Sequence, residues 1–545
     1  MYRQFHTQTA SLAGLLAAIL IAPVTQADVT GQVTHKGQAL ASCSVSLGAD
    51  TAATATDGGF TLQADKPGKL RVDCAGFAPK FVSVQNPGSA LGEVELKRPN
   101  FILIISDDQG WVQTSTQMDP DDPETKSDYF RTPHMDSLFE AGIRFTRGYS
   151  PGTYCMPTRR SIQVSHSPLR HAFNGAPVDE WTDAYKELPT IPRVLKDADP
   201  DYMTAHLGKW DLRYDDPDPA LLGYDVSDGA TGNGEGNVGA KTRKNNRGRS
   251  SMDKSALNPS DDPKVIFDLT RRATDFMRQQ VNDDRPFYLQ LSHYAVHLAV
   301  FFRPSSYDEV LGWQKGEKHF IPSFAAMLKD LDDGIGELMK NIDELGIGEH
   351  TYIIFMADNG GRPTQNLEDG SVRERVNHPL SVGKHSIYEG GIRVPFVVVG
   401  PGIEPGSYVR TAVSGVDILP TIADIVGSGV ELGDIDGGSF KDLIYRESDT
   451  VERPRPFLVF HDKSATVKTT GAKGDSESAL MQGDYKLIKT WKGGKQNSVE
   501  LYDLAKDKEE AYDLSAAMAE KAAEMGRLLD DYIAEVGGDV TITTD

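Results

Sequence analysis

Separated apolar runs constrain the fold of this chain more than any other feature of its sequence. Residues 101–105 form a continuous apolar run, which is typical of a strand buried on both faces of a parallel sheet. Similar runs recur later and alternate with stretches of helical character. The strands and helices are predicted, in chain order, at residues 101–105, 264–281, 287–291, 323–345, 352–356 and 396–399. This alternation predicts an α/β fold built from layers of sheet and helix.

Acidic and amide side chains follow two of these strands directly. Asp107 and Asp108 come after the first strand, and Asp358 and Asn359 come after the run at 352–356. In open α/β sheets, ligands bind outside the carboxyl ends of the strands. Three carboxylates and one amide could therefore meet there as oxygen ligands of Ca²⁺ or Mg²⁺. Taken alone, either pair is more often a helix N-cap or a turn.

The length of the chain predicts more than one domain. Its 545 residues exceed the ~250–300 residues at which a single hydrophobic core stops growing. Residues 28–97 contain short alternating runs separated by turn residues, which predict an all-β domain. Its motifs TDGGF and GKLRV resemble the carboxypeptidase-regulatory-like β-sandwich. We expect the larger domain at 98–455 and a smaller α+β subdomain at 456–545.

The first residues have the pattern of a secretory signal peptide. Basic Arg3 precedes an apolar run from Leu12 to Val24, and a small-residue cleavage pattern ends at Ala27. We expect residues 1–27 to be removed, which would leave no transmembrane segment in the mature chain. An uncleaved membrane anchor is the alternative. Both possibilities predict that the rest of the chain crosses a membrane and is periplasmic or secreted.

The cysteines are consistent with export. Cys43 and Cys74 lie in the first hundred residues and could form a disulfide in an oxidising compartment. They could equally be two buried thiols, because sequence does not give the separation of their Cα atoms. Cys155 then remains as a single cysteine.

The charge balance excludes some partners. The chain has 79 acidic and 57 basic residues, and the net charge of −22 opposes binding to nucleic acid and to anionic membranes. A predicted long loop at 225–262 nevertheless contains a basic run. The basic residues of this loop are Lys241, Arg243, Lys244, Arg247 and Arg249. They could attract an anionic polymer, or they could form an ordinary solvated charge run.

The most specific motif is Cys155-x-Pro157-x-Arg159. It resembles the signature of the sulfatase family, in which the cysteine is oxidised after synthesis to formylglycine, an aldehyde that hydrates to a geminal diol. Further segments resemble landmarks of that family in the family's order. They are PNFILIISDDQG, YMTAHLGKW, PFYLQLSHYAVH, ADNGG, GKHSIYEGGIRVPF and ELYDLAKDKEEAYDL. The resemblance covers nearly all of the chain after residue 98 and implies an alkaline-phosphatase-like, mixed and largely parallel sheet flanked by helices.

The resemblance also implies a metal-dependent hydrolase of sulfate esters that needs a formylglycine-generating maturation enzyme. The implied ligands of Ca²⁺, with Mg²⁺ as the alternative, are Asp107, Asp108, Cys155 through its diol, Asp358 and Asn359. Arg159, Lys209 and Lys384 would neutralise charge on the diol and the sulfate. His297 is the candidate acid for the leaving oxygen. Without the motif, both lysines would be assigned to the solvated surface.

One position departs from the family pattern. Many members have a histidine two residues after the first lysine, where it acts as a base, but this chain has Asp211 two residues after Lys209. Asp211 could be the base or could bind substrate. The base could also be His385 or His206.

Export, the β-sandwich and the basic run predict a polyanionic extracellular substrate. We expect a sulfated polysaccharide or its oligosaccharides. A phosphonate or phosphate ester hydrolase of the same superfamily is one alternative. A non-catalytic glycan-binding protein with an unoxidised Cys155 is another, and the sequence determines neither the sugar nor the oligomeric state.

Overall fold

The computed structural model describes residues 27–171, 185–212, 217–244, 250–253, 256–366, 372–463, 475–538 and 540. The chain divides into two compact units, Met1–Val72 with Phe81–Glu95 and Asp73–Lys80 with Leu96–Asp545. Of the predicted signal peptide, only Ala27 lies within the described residues. In the part of the chain that the structure describes, no helix has the length and apolar character needed to cross a bilayer.

The first unit is strand-rich, as predicted. Its strands are β1 (Ala27–His35), β2 (Gln38–Ala39), β3 (Ser44–Leu47), β4 (Asp50–Ala53), β5 (Gly59–Ala64), β6 (Gly68–Asp73), β7 (Lys80–Val84) and β8 (Ala90–Glu95). They form two four-stranded sheets, one from β1, β2, β5 and β8 and the other from β3, β4, β6 and β7. Alternate residues of β5 are buried, so this strand has one face in the core and one in solvent. Cys43 and Cys74, whose pairing the sequence left open, are both disulfide-bonded.

The second unit contains the remaining elements. Its strands are β9 (Asn100–Ser106), β10 (Ile143–Phe145), β11 (Gly148–Tyr149), β12 (Met203–Gly208), β13 (Val226–Ser227), β14 (Thr242–Lys244), β15 (Ser250–Met252), β16 (Asn258–Pro259), β17 (Phe287–Ser292), β18 (Phe301–Phe302), β19 (Thr351–Ala357), β20 (Thr364–Asn366), β21 (Val372–Glu374), β22 (Phe396–Val399), β23 (Ser407–Val409), β24 (Val413–Ser414), β25 (Leu458–Asp462), β26 (Ser476–Gln482), β27 (Tyr485–Lys492) and β28 (Lys495–Asp503). Its α-helices are α1 (Pro133–Glu140), α2 (Cys155–Val164), α3 (Ile191–Ala198), α4 (Ile266–Asn282), α5 (Pro304–Leu311), α6 (Pro322–Glu344), α7 (Glu389–Ile392), α8 (Ile418–Val426), α9 (Lys441–Ile444) and α10 (Ala519–Glu535).

An eight-stranded sheet forms the centre of this unit, in the order β13-β12-β17-β9-β19-β22-β10-β23. Strands β13, β12, β17, β9 and β19 are parallel to one another. Strand β22 is antiparallel to both of its neighbours. The sheet is therefore mixed and largely parallel, and the predicted fold class is confirmed.

Both faces of the central strand β9 are covered. Ile102 and Ile104 pack into one hydrophobic core with helices α1, α4 and α6. Phe101, Leu103 and Ile105 pack into a second core with α2, α3 and α8. Because successive side chains of a strand point to opposite faces, burial on both sides requires the continuous apolar run of the sequence.

A smaller antiparallel sheet follows, in the order β25-β26-β27-β28. Leu480, Leu487 and Leu501 of this sheet pack against Met525 and Leu529 of α10. This arrangement gives the expected α+β structure near the C-terminus. The predicted loop at 225–262 differs in part from expectation, because it contains the antiparallel pair β14 and β15 and the short strands β13 and β16.

Candidate active site

The register of the central sheet brings the predicted site residues to one edge. Strand β9 aligns Ser106 with Ala357 of β19, and β12 aligns Gly208 with Ser292 of β17. The residues that follow these parallel strands are Asp107, Asp108, Lys209, His293, Asp358 and Asn359. Parallel strands that end in register place their next side chains at a common edge. The predicted convergence of Asp107, Asp108, Asp358 and Asn359 is therefore present in the structure.

Cys155 is the first residue of helix α2 and lies within this group. Its Sγ is 3.4 Å from Asp107 Oδ1 and 3.4 Å from Lys384 Nζ. The side chain is buried. Burial, together with the charges of Asp107 and Asp358, raises the pKa of the Cys155 thiol well above its ordinary value. The unmodified thiol is therefore protonated at neutral pH.

Three buried cations are each held by a carboxylate. Lys209 Nζ is 2.7 Å from Asp107 Oδ2, and Arg159 Nη2 is 2.8 Å from Asp358 Oδ2. Lys384 Nζ bonds Asp108 Oδ1. We call these residues the sheet-edge cluster: Asp107, Asp108, Cys155, Arg159, Lys209, Asp358, Asn359 and Lys384. Arg159 lies one helical turn after Cys155 in α2, and residues four apart on a helix share a face. Arg159 therefore belongs to the same cluster as Cys155.

The acids of the cluster differ in their pKa values. Burial raises the pKa of Asp107, but the charges of Lys209 and His297 outweigh burial and leave the pKa below its ordinary value. Burial and the neighbouring charge of Asp107 raise the pKa of Asp358 to about 6, although Arg159 opposes the shift. Because like charges lie close together, the pKa values of the two acids differ within one site.

Two buried oxygen atoms of the cluster lack a hydrogen-bond partner among the described residues. They are Asp108 Oδ2 and Asn359 Oδ1. The amide nitrogen of Asn359 donates to Asp108 Oδ1 at 2.9 Å, which directs Oδ1 of Asn359 away from that bond. Buried polar atoms are rarely left without a partner, and unpaired carboxylate and amide oxygens suit a hard divalent cation. Donor atoms of Asp107, Asp108, Cys155 and His297 also lie within 4.8 Å of one another.

His297 lies beside the cluster. Its Nε2 is 3.9 Å from Asp108 Oδ2, and its side chain is 18% exposed. Its Nδ1 is 2.6 Å from the carbonyl oxygen of Leu298, so a hydrogen on Nδ1 donates to that oxygen. Burial lowers the pKa of His297 to about 4, although Asp107 and Asp108 oppose the shift. Nε2 is therefore the ring nitrogen that faces the cluster.

The three candidates for the base have different surroundings in the structure. Asp211 is buried, and its Oδ2 is 3.3 Å from Lys209 Nζ. His206 packs edge-on against Trp210 and against another aromatic ring, and burial lowers its pKa to about 3. The His385 ring packs against Tyr154 in a tilted arrangement, with ring centroids 5.1 Å apart. Asp211 thus forms an ion pair with a cation of the sheet-edge cluster.

Sequence reasoning missed Lys264, which is buried and interacts electrostatically with Asp107 and Asp108. No local signal marks it, since it is an isolated lysine at the start of a predicted helix. In the basic loop, Lys241 and Lys244 are exposed. Arg247 and Arg249 lie outside the described residues.

Comparisons with known proteins agree with this geometry. A family model described as Sulfatase matches residues 99–428, and one described as N-sulphoglucosamine sulphohydrolase, C-terminal, matches residues 381–535. Arylsulfatase A of Homo sapiens is 27% identical over 495 residues, which are 80% of this chain and 87% of that protein.

Solved structures share the fold. Ps i-CgsB in complex with k-i-k-neocarrahexaose matches with a TM-score of 0.62 and 23% identity, over 80% of this chain and 92% of that chain. The phosphonate monoester hydrolase of Agrobacterium radiobacter matches with a TM-score of 0.54 and 17% identity, over 82% of this chain and 97% of that chain. The Sulfatase model covers more than half of the sequence. The chain therefore belongs to the sulfatase family and is a sulfuric ester hydrolase.

Proposed function

We propose that the chain is an exported sulfatase that removes sulfate from sulfated polysaccharides or their oligosaccharides, through a formylglycine made from Cys155 and with a divalent cation. The position of Cys155 carries the proposal. Its Sγ lies between Asp107 Oδ1 and Lys384 Nζ, each at 3.4 Å. An oxygen nucleophile made from this side chain would lie between a carboxylate and a fixed positive charge.

The raised pKa of Cys155 argues against the unmodified thiol as the nucleophile. A thiolate, and not a thiol, is the nucleophilic form of cysteine. Because burial and nearby carboxylates keep the Cys155 thiol protonated, the unmodified residue is a poor nucleophile. A hydrated aldehyde at position 155 supplies a hydroxyl oxygen that can attack the sulfur of the ester.

The cations of the sheet-edge cluster would stabilise the sulfate during this attack. Arg159, Lys209 and Lys384 are each oriented by a buried carboxylate before substrate binds. Positive charge that is already in position stabilises the charge that develops on the sulfate oxygens at little cost of reorganisation.

We assign His297 as the acid for the leaving oxygen and Asp211 as the base. The assignment of His297 is supported by its Nδ1, which is engaged by Leu298, so Nε2 is the nitrogen that a substrate can reach. Because the pKa of about 4 leaves the ring neutral in the free enzyme, Nε2 must take up a proton when the anionic substrate binds before His297 can act as the acid. The assignment of Asp211 is supported by its burial and its contact with Lys209. In this role Asp211 would accept a proton from the modified residue 155.

A divalent cation fits the unpaired oxygens of the cluster. Asp107, Asp108, Asp358 and Asn359 would hold it, together with the modified Cys155, and it would supply Lewis-acid chemistry to the sulfate oxygens. We propose Ca²⁺, with Mg²⁺ as the alternative, since both prefer oxygen ligands.

The proposed substrate class has support from the chain and from its relatives. The family model that matches the C-terminal part of the chain is named after an N-sulphoglucosamine sulphohydrolase, an enzyme that acts on a sulphated sugar. One structural neighbour was solved in complex with a hexaose. Export rests on the N-terminal sequence, and the exposed Lys241 and Lys244 could attract a polyanion.

The test is a desulfation screen on the matured protein. The chain is co-expressed with a formylglycine-generating enzyme and assayed on defined sulfated oligosaccharides, with phosphate and phosphonate esters in parallel. The mass of the tryptic peptide that contains residue 155 is measured in the same sample, where oxidation of the thiol to the aldehyde lowers it. We expect sulfate release only from material with the lowered mass.

Two outcomes would contradict the proposal. Faster cleavage of phosphonate esters than of any sulfate ester would identify a phosphonate hydrolase. Glycan binding without turnover, with an unmodified Cys155, would identify a glycan-binding protein.

A further inference from the structure

Lys264 is a buried cation that none of these roles uses. It is 2% exposed, the same as Cys155, which must meet the substrate. Its Nζ donates to Asn237 Oδ1 at 2.6 Å and lies 5.2 Å from the centre of the Phe301 ring. Among the described residues, no carboxylate forms an ion pair with Lys264. Within the part of the chain that the structure describes, the groups in contact with its ammonium are therefore an amide oxygen and an aromatic ring.

Lys264 lies beside the segment that carries His297. Asn237 Oδ1, which accepts from Lys264, also accepts from the backbone N–H of Ala299 at 3.1 Å. Phe301 belongs to the same segment. The Lys264 ammonium also interacts electrostatically with Asp107, Lys209 and Asp108 of the sheet-edge cluster. Lys264 is thus on the His297 side of the candidate active site.

The other cations of the site are already neutralised. Arg159, Lys209 and Lys384 each form an ion pair with an aspartate. A buried ammonium without such a partner is costly, and burial lowers the pKa of Lys264 to about 7.

The backbone at this position is also unfavourable. Lys264 and the β-branched Val265 have φ of +57° and +50°. Strain of this kind is concentrated at ligand sites in proteins. A buried charge without an acidic partner and a strained backbone therefore coincide beside the proposed leaving-group acid.

We propose that Lys264 binds a second anionic group of the substrate, a sulfate or a carboxylate on the leaving-group side of the ester. This inference rests on the proposed function. If His297 faces the leaving oxygen, a cation beside His297 meets the alcohol part of the ester and not the sulfate that is removed. The substrate is then an ester whose alcohol carries a further negative charge, as multiply charged glycans do.

Matched small esters test the inference. The probes are 4-nitrophenyl sulfate and the same ester with an added carboxylate at ring position 2 or 3. For the matured enzyme we expect a KM about tenfold lower for at least one carboxylated ester, because a charge-assisted hydrogen bond is formed. In Lys264→Met this preference is lost while KM for the plain ester is nearly unchanged. Lys264→Arg retains part of the preference.

Lys340→Met is the matched control, since Lys340 is an exposed lysine on α6 whose side chain is 73% accessible. It should keep the wild-type preference. Equal KM values of the wild-type enzyme for all three esters overturn the inference, even if Lys264→Met does not fold. A fall of kcat on all three esters with unchanged KM ratios in Lys264→Met also overturns it, because that result describes a residue that only positions others. Absence of turnover on every ester would instead contradict the proposed function.

Discussion

Two buried ionic clusters of the second unit contain similar side chains but differ in how their oxygen atoms are satisfied. In the sheet-edge cluster, Asp108 Oδ2 and Asn359 Oδ1 have no hydrogen-bond partner among the described residues. The second group, which we call the C-terminal cluster, contains Glu389, Lys486 and Glu510, all fully buried. Lys486 Nζ lies 2.9 Å from Glu389 Oε1 and 2.8 Å from Glu510 Oε1.

The remaining oxygens of the C-terminal cluster also have donors. Glu389 Oε2 accepts from Tyr149 at 3.0 Å and from Arg393 at 3.4 Å. Glu510 Oε2 accepts from the backbone N–H of Glu389 at 2.7 Å. A fully satisfied network stabilises one conformation, whereas unpaired oxygens are retained where a ligand completes them. The comparison indicates that the first cluster serves chemistry and that the second connects the C-terminal sheet to α7.

The largest expected effect is on turnover at the sheet edge. Cys155→Ala removes the nucleophile precursor, and we expect kcat to fall on the order of 10⁴-fold or more. The free energy of unfolding should change much less than in variants of the C-terminal cluster. Steady-state kinetics on an aryl sulfate and urea unfolding measure the two effects. Sulfate release at full speed from Cys155→Ala would falsify the proposed chemistry.

The next effect is on stability in the C-terminal cluster. Lys486→Met leaves Glu389 and Glu510 buried without their shared cation, and we expect the free energy of unfolding to fall by about 3–5 kcal/mol. Lys506→Met is the control, because Lys506 is 81% accessible in its pair with Asp503 and this solvent-screened pair should contribute little to stability. Chemical denaturation compares the two variants. Equal stability of both would show that the buried network contributes nothing.

A smaller effect is expected at Asp211. If this carboxylate is the base, Asp211→Asn and Asp211→Ala should each lower kcat on the order of 10²-fold with little change in KM. The free energy of unfolding should fall less than in Lys486→Met, since Lys209 loses one buried partner but keeps its ion pair with Asp107. Near-normal rates in both variants would remove Asp211 from the mechanism.

The smallest effect is a pH dependence of stability. Burial raises the pKa of Glu510 from 4.5 to about 7, although Lys486 opposes the shift. The native state then binds the proton more tightly than the unfolded state. The contribution of this group to stability is full below about pH 4.5 and is lost as the pH rises to about 7.

The unfolding free energy of the wild type, minus that of Glu510→Gln, should therefore fall by up to ~1.4 kcal/mol per pH unit across this window. Glu509→Gln changes the neighbouring exposed carboxylate and should leave the slope unaltered. A difference that is independent of pH would contradict the shifted titration of Glu510.

Local sequence was sufficient to predict the strands at the centre of the eight-stranded sheet and the edge at which the site forms. The run at 101–105 corresponds to strand Asn100–Ser106, and the run at 352–356 corresponds to Thr351–Ala357. Burial on both faces of a strand leaves a continuous apolar run, which is visible without a structure. The spacing from Cys155 to Arg159 is likewise local, because one helical turn brings both side chains to one face.

The tertiary structure decided the features that depend on packing between distant segments. Lys486 lies 97 residues from Glu389 in sequence, and no periodicity predicts that they form an ion pair. The position of Lys264 beside His297, the contact of Asp211 with Lys209 and the unpaired oxygens of the sheet-edge cluster are of the same kind. Sequence determines which side chains follow a strand, since that is a property of neighbouring residues. Which charges remain without a partner depends on every segment that packs around them, and only the folded chain determines that.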